Sequence, residues 1–99
     1  MGANMAQNLD QDIPANVWTL ITDADVTAVT FQNKGSTHVM LKSTTDTTPP
    51  TNFSGSIRYN PGQGILSDVA LATIFPGLTG RDRLWVYAYS PVTIFISHA

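Results

Sequence analysis

Ninety-nine residues suffice for one hydrophobic core and not for two, and an apolar share of 42% belongs to a folded chain rather than a disordered one. The net charge is −2 and the five basic residues, Lys34, Lys42, Arg58, Arg81 and Arg83, are scattered, which excludes the concentrated basic face that nucleic acid requires. Cysteine is absent, so disulfides, thiol catalysis and zinc–thiolate sites are excluded too.

The composition leans toward strands. Every acid is Asp, and Thr is abundant, notably in Ser43-Thr44-Thr45-Asp46-Thr47-Thr48. Glu, Lys and Ala carry exposed helix faces, whereas Thr suits a pleated, half-exposed surface. No basic-then-apolar leader pattern is present and no apolar run approaches a membrane span, so a membrane partner is not expected. Met1-Gly2 resembles the start of a myristoylation signal, but Ala6 stands where Ser or Thr is needed.

Residues 1–16 are polar, lack periodicity and include Pro14. They read as a flexible N-terminal arm, alternatively one that orders on a neighbouring subunit, with the folded domain over 17–99. From Val17 the period is two: Val17, Thr19 and Ile21 alternate with Trp18 and Leu20, and Thr22-Asp23-Ala24-Asp25 supplies a turn. Val26 to Phe31 and His38 to Lys42 flank the turn signal Asn33-Lys34-Gly35-Ser36 and predict a hairpin. Thr44 to Ser54, with Pro49-Pro50, reads as a loop. Ser56 to Tyr59 is a short strand that Asn60-Pro61-Gly62-Gln63-Gly64 ends abruptly. Ile65 to Phe75 predicts a strand and then one helical turn, with Ser67-Asp68 as a candidate cap. Thr79-Gly80-Arg81-Asp82 is a further loop. Leu84 to Tyr89 and Val92 to Ser97 are the strongest strands, joined around Ser90-Pro91. Six or seven short strands with turns every eight to twelve residues predict an all-β fold, a small antiparallel β-sandwich or jelly-roll-like barrel.

Candidate chemistry is sparse. Asp23 and Asp25 are the close carboxylate pair, but no further ligands complete a cation loop, so an Asx-type turn is the reading. His38 and His98 are the two imidazoles, each near a strand end where exposure is normal, and neither has an orienting acid in sequence. Asn60-Pro-Gly-Gln-Gly64 lacks the Lys-Ser/Thr ending and following helix of a phosphate loop. Gly80-Arg81-Asp82 is not in Arg-Gly-Asp order, and no Ser sits in a nucleophile elbow. The chain is therefore expected to be no enzyme, with no catalytic, metal or cofactor residues.

The aromatic row is the stronger signal. Trp85, Tyr87 and Tyr89 share one face of a strand whose other face carries Leu84, Val86 and Ala88; the next strand sets Val92, Ile94 and Ile96 against Thr93, Phe95 and Ser97. A hairpin with one wet face alternates apolar with polar, and this pair does not. Either the loop Thr44–Ser54 or the segment Ile65–Phe75 covers the second face, or that face is an interface, with Trp85, Tyr87, Tyr89 and Phe95 as its residues. A carbohydrate platform is the third possibility.

Val29-Thr-Phe-Gln-Asn-Lys-Gly-Ser36, the return strand Val39-Met-Leu41, Asn60-Pro-Gly62 and the closing Leu84-Trp-Val-Tyr-Ala88 together resemble small β-sandwich virion proteins of tailed bacteriophages. The resemblance spans Val26 to Ser97 and rests on turn chemistry and strand pattern; the Thr44–Phe53 loop is longer and richer in Thr and Pro than a minimal member needs. It implies a structural role, capsid decoration or cementing, in a virion assembled in the bacterial host cytoplasm, with the major capsid protein or another virion protein as partner. The excess of apolar strand surface adds the expectation of a homo-oligomer, a trimer by preference, since shells offer threefold positions, with twofold ones as the alternative. The competing function is a carbohydrate- or receptor-binding module.

Overall fold

Burial follows the period-two pattern of the sequence. Val29, Phe31 and Asn33 are buried while Ala28, Thr30 and Gln32 between them are half-buried, and Val39, Leu41 and Ser43 repeat the alternation. Residues 7–22, 26–78 and 83–98 are described in the computed structural model. Among them are eight strands and one helical turn: β1 (Gln7–Ile13), β2 (Thr19–Leu20), β3 (Ala28–Asn33), β4 (Val39–Thr44), β5 (Ile57–Tyr59), β6 (Gly64–Ala70), α1 (Leu71–Ile74), β7 (Arg83–Ala88) and β8 (Val92–His98). No helix among the described residues is long and apolar enough to cross a membrane.

The strands form two antiparallel four-stranded sheets: sheet I in the order β1-β8-β3-β6 and sheet II in the order β2-β7-β4-β5. β1 pairs with β8, β2 with β7, β3 with β6 and β4 with β5. This is one long hairpin rolled over on itself, the strand order of an eight-stranded jelly roll. Every connection except β4–β5 therefore passes from one sheet to the other. The core lies between the sheets, where Val29, Phe31, Ile94 and Ile96 of sheet I face Val39, Leu41, Leu84 and Val86 of sheet II. Each such side chain gains roughly 1.5–3 kcal/mol on burial. Leu71 and Phe75, carried by the α1 turn and its end, close one end of the core, and Ile13 and Val92 belong to the same cluster.

The rolled topology corrects both hairpins expected from the sequence. β3 and β4 do not pair, because Asn33 makes a corner instead of a reverse turn. Its buried Nδ2 donates to Thr37 O at 2.8 Å and Tyr59 O at 3.1 Å, and its Oδ1 accepts from Gly35 N at 2.9 Å. The segment after it crosses the end of the sandwich so closely that a Cβ on Gly35 would stand 2.7 Å from Val92 Cβ. β7 and β8 do not pair either. Ser90-Pro91 links the two sheets, so the inner rows Leu84-Val86-Ala88 and Val92-Ile94-Ile96 face the core from opposite sides.

Residues 7–13, expected within a flexible arm, are the edge strand β1, in register with β8 from Gln7↔His98 to Ile13↔Val92. The folded domain thus includes these residues and does not begin at 17; residues 1–6 lie outside those described, as do Asp23–Asp25 and the Thr79–Asp82 loop. Ser67 and Asp68 do not cap the helical turn, whose first residue is Leu71 and which has no side-chain cap. They belong to a bulge in β6: Val29↔Val69 and Phe31↔Ile65 are paired, so Leu66, Ser67 and Asp68 oppose Thr30 alone.

Candidate functional site

The outer face of sheet II is aromatic, and its order starts from Trp85. The register sets Trp85 between Leu20 of β2 and Lys42 of β4. Its indole N–H donates to the Thr44 hydroxyl at 2.7 Å, and although it points away from the core it is only 4% exposed. Lys42 Nζ donates to Asn52 O at 3.3 Å and Asn52 Oδ1 at 3.1 Å. Thr44, Asp46 and Asn52 close local turns through Thr44 Oγ1 to Asp46 O, Thr48 N to Asp46 Oδ1 and Ser54 N to Asn52 Oδ1. The Thr- and Pro-rich loop is thereby tied to the sheet at both ends, and it delivers Phe53 onto Tyr87.

Phe53 meets Tyr87 edge-on, with centroids 4.8 Å apart at 88°. Trp18 packs against both, 5.6 Å from Phe53 and 5.5 Å from Tyr87. The β1–β2 crossing that carries Trp18 is held to β7 by Asn16 N donating to Ala88 O at 2.7 Å, with Asn16 in the left-handed region at φ 63°. Tyr89 continues the cluster, 5.2 Å from Tyr87 and 6.0 Å from Phe53, and His38 lies 5.4 Å from Tyr89. Each edge-to-face pair adds about 0.5–1.5 kcal/mol beyond its buried area. The outcome is a cluster centred on Tyr87, with Tyr89 at 49% and Phe53 at 40% exposure presented to the outside.

Tyr87 and Tyr89 are thus brought together under the loop's Phe53, while Trp85, on the same row of β7, is held by the Thr44 hydroxyl. Phe95 is not with them. It lies on the outer face of sheet I, on the opposite side of the molecule, between Asp10 and Gln32 in register. The four expected interface residues do not make one surface, because β7 and β8 belong to different sheets. The face around Phe95 is polar, with Asn8, Asp12, Thr30, Thr93 and Ser97, and Lys34 bridges to Asp10 at 2.8 Å across exposed surface. Such a pair contributes about 0–1 kcal/mol. The sequence reading missed Trp18, His38 and Phe53 as members of the aromatic cluster. An isolated aromatic in a Thr/Pro loop was the available signal for Phe53.

His98 is not the exposed strand-end residue expected. It is 5% exposed on the inward row of β8, with its Nε2 3.2 Å from Gln7 Oε1, while Gln7 Nε2 donates to Ile21 O at 3.2 Å. Among the described residues, no three His, Cys, Asp or Glu side chains converge as a metal site would require. Asn60–Gly64 is a β-turn: Gln63 N donates to Asn60 O at 3.0 Å and Gln63 Oε1 accepts from Asn60 N at 2.8 Å. Beside it, the Tyr59 hydroxyl has its pKa raised above 10.0 by burial. No protein-family model, curated protein or solved structure matches the chain.

Proposed function

We propose that this chain is a structural protein of a tailed-bacteriophage virion, which binds and stabilises the capsid shell by protein–protein contacts and performs no catalysis. The jelly-roll order serves viral capsid proteins, lectins and cupins alike, so the fold by itself does not select among them. The observation that carries the reading is the aromatic face of sheet II. Trp, Tyr and Phe at the centre of a patch, with charged groups at its margin, are the composition of interface cores. Here Phe53 and Tyr89 are half-exposed against Tyr87, with Trp18 packed on Phe53 and Tyr87, and the nearby cation Lys42 is bonded to Asn52. The Phe53–Tyr87 and Tyr87–Tyr89 contacts are edge-on, at 88° and 68°, so the rings occupy one another and do not form a flat row. That favours a protein partner, the major capsid protein, over a sugar stacked along Trp85, Tyr87 and Tyr89.

Mass spectrometry of virions from the phage that encodes the chain is the direct test, with the chain expected in a fixed ratio to the major shell protein. Purified chain should also bind shells lacking it, and Tyr89→Ala or Phe53→Ala should weaken that binding at least about tenfold, as interface aromatics do. Absence from virions, or binding to an oligosaccharide panel without binding to shells, overturns the reading.

A further inference from the structure

The β6 edge of sheet I presents an apolar knob. Leu66 stands 66% exposed at the head of the β6 bulge, and Asp68 is exposed two positions later on the same bulge. A bulge turns side chains out of the regular pleat, which is how an edge strand comes to present a leucine. β5 and β6 are edge strands of the two sheets and the Asn60–Gln63 turn joins them directly, so their edges lie on one flank of the sandwich. On that flank, between β4, the loop entering β5 and the segment after α1, lies a recess of about 330 Å³.

Phe75 and Leu78 give the recess an apolar lining, and Lys42 stands at its edge. Gly55 and Gly77 leave it open: a Cβ on either would meet nothing within 4 Å. Lys42 is bonded to the neutral Asn52, and among the described residues neither Lys42 nor Asp68 forms an ion pair. One chain thus carries a knob with a negative charge beside it and an apolar recess with a positive charge beside it.

We infer that this flank is a self-association surface: Leu66 of one copy seats in the recess of a second copy, and Asp68 pairs with the second copy's Lys42. Charge complementarity selects another copy of this chain as the occupant. Because knob and recess share a flank, two copies exchange both contacts reciprocally about a twofold axis. The recess adjoins the aromatic face, sharing Lys42 and loop residues 54–55 with it, but association of the chain alone is read without any partner on that face. Centred on one leucine and one ion pair per copy, it belongs with small, transient interfaces that fill only at high local concentration.

The test is sedimentation equilibrium of the isolated full chain, without shells, up to about 1 mM. The mass should climb from 10.7 kDa toward twice that value, less steeply in high salt. Leu66→Ser should abolish the rise. Lys42→Asp and Asp68→Lys should each weaken association about tenfold, and the two together should restore it to within about threefold. Circular dichroism on every variant separates lost association from lost folding, and the charge exchange is informative even if Leu66→Ser is unstable. A constant 10.7 kDa mass, wild-type association by folded Leu66→Ser, or no rescue by the exchange overturns the inference. A limiting mass of three chains would match the threefold expectation from the sequence and overturn the reciprocal exchange.

Discussion

Gly64 runs so close to β3 that a Cβ placed on it would overlap the Phe31 carbonyl oxygen and stand 2.7 Å from Gln32 Cα. The overlap is with backbone, which cannot move aside as a side-chain tip can. Gly64→Ala is expected to cost about 1–3 kcal/mol, in the range of overpacked sites. Thermal unfolding followed by circular dichroism reads it as a drop of roughly 4–8 °C per kcal/mol. Gly77→Ala is the control: a Cβ there meets nothing within 4 Å, and the change should be neutral or stabilising by up to about 1 kcal/mol.

Asn33 is the corner on which the chain leaves sheet I for sheet II. Asn33→Ala strands Thr37 O, Tyr59 O and Gly35 N inside the structure, and is expected to cost about 2–4 kcal/mol in urea unfolding. Asn33→Asp keeps the shape but must hold a proton to donate to either carbonyl. The folded state thus favours the neutral acid, so the variant is most stable below about pH 4 and loses stability as pH rises. A destabilisation independent of pH would contradict this geometry.

Tyr59 gives a pH prediction of its own. Burial raises its pKa above 10.0, so the folded state resists formation of the phenolate. Its contribution is intact below the unfolded value near 10 and is lost as pH rises through the higher folded value. Comparing wild type with Tyr59→Phe in a series of alkaline denaturation curves isolates that loss. The wild type should fall more steeply above about pH 10.

The aromatic face makes a coupling measurable without any partner. A double-mutant cycle on Phe53→Leu and Tyr87→Leu should give about 0.5–1.5 kcal/mol of interaction energy between loop and sheet. Additive effects would mean that the loop does not cover Tyr87 in solution.

Strand existence was legible in the chain because alternation is local: Val29 and Phe31, Val39 and Leu41, and Ile94 and Ile96 declare their inward faces within a few residues. Strand partnership was not. Whether Asn33-Lys34-Gly35-Ser36 reverses the chain or turns a corner depends on Asn33 reaching Tyr59, 26 residues later, and on Gly35 meeting Val92. The apolar outer row of β7 was visible and the Thr44–Ser54 loop was one of its expected covers, but which residue of the loop lands on Tyr87, and that Trp18 joins it from the β1–β2 crossing, depend on contacts distant in sequence. β1 escaped notice because an edge strand exposes most of its residues: only Ile13 of its seven is buried, and Asp10 and Asp12 make it read as a tail.

The rolled strand order sets how the chain must fold. Among the strands, β4–β5 alone joins neighbours in sequence; β3–β6 closes around it, then β2–β7, and β1–β8 spans nearly the whole described chain. Each wider closure demands more loop entropy before its own contacts form. Folding therefore belongs to the slow, millisecond-to-second class of non-local β proteins, with pairing spreading outward from the β4–β5 turn. β1 has no hydrogen-bonding partner until β8 is in place. Substitutions along the β1–β8 seam should thus speed unfolding and leave the folding rate nearly unchanged. On the ribosome, β1 emerges well before β8 and waits longest of these strands for its partner.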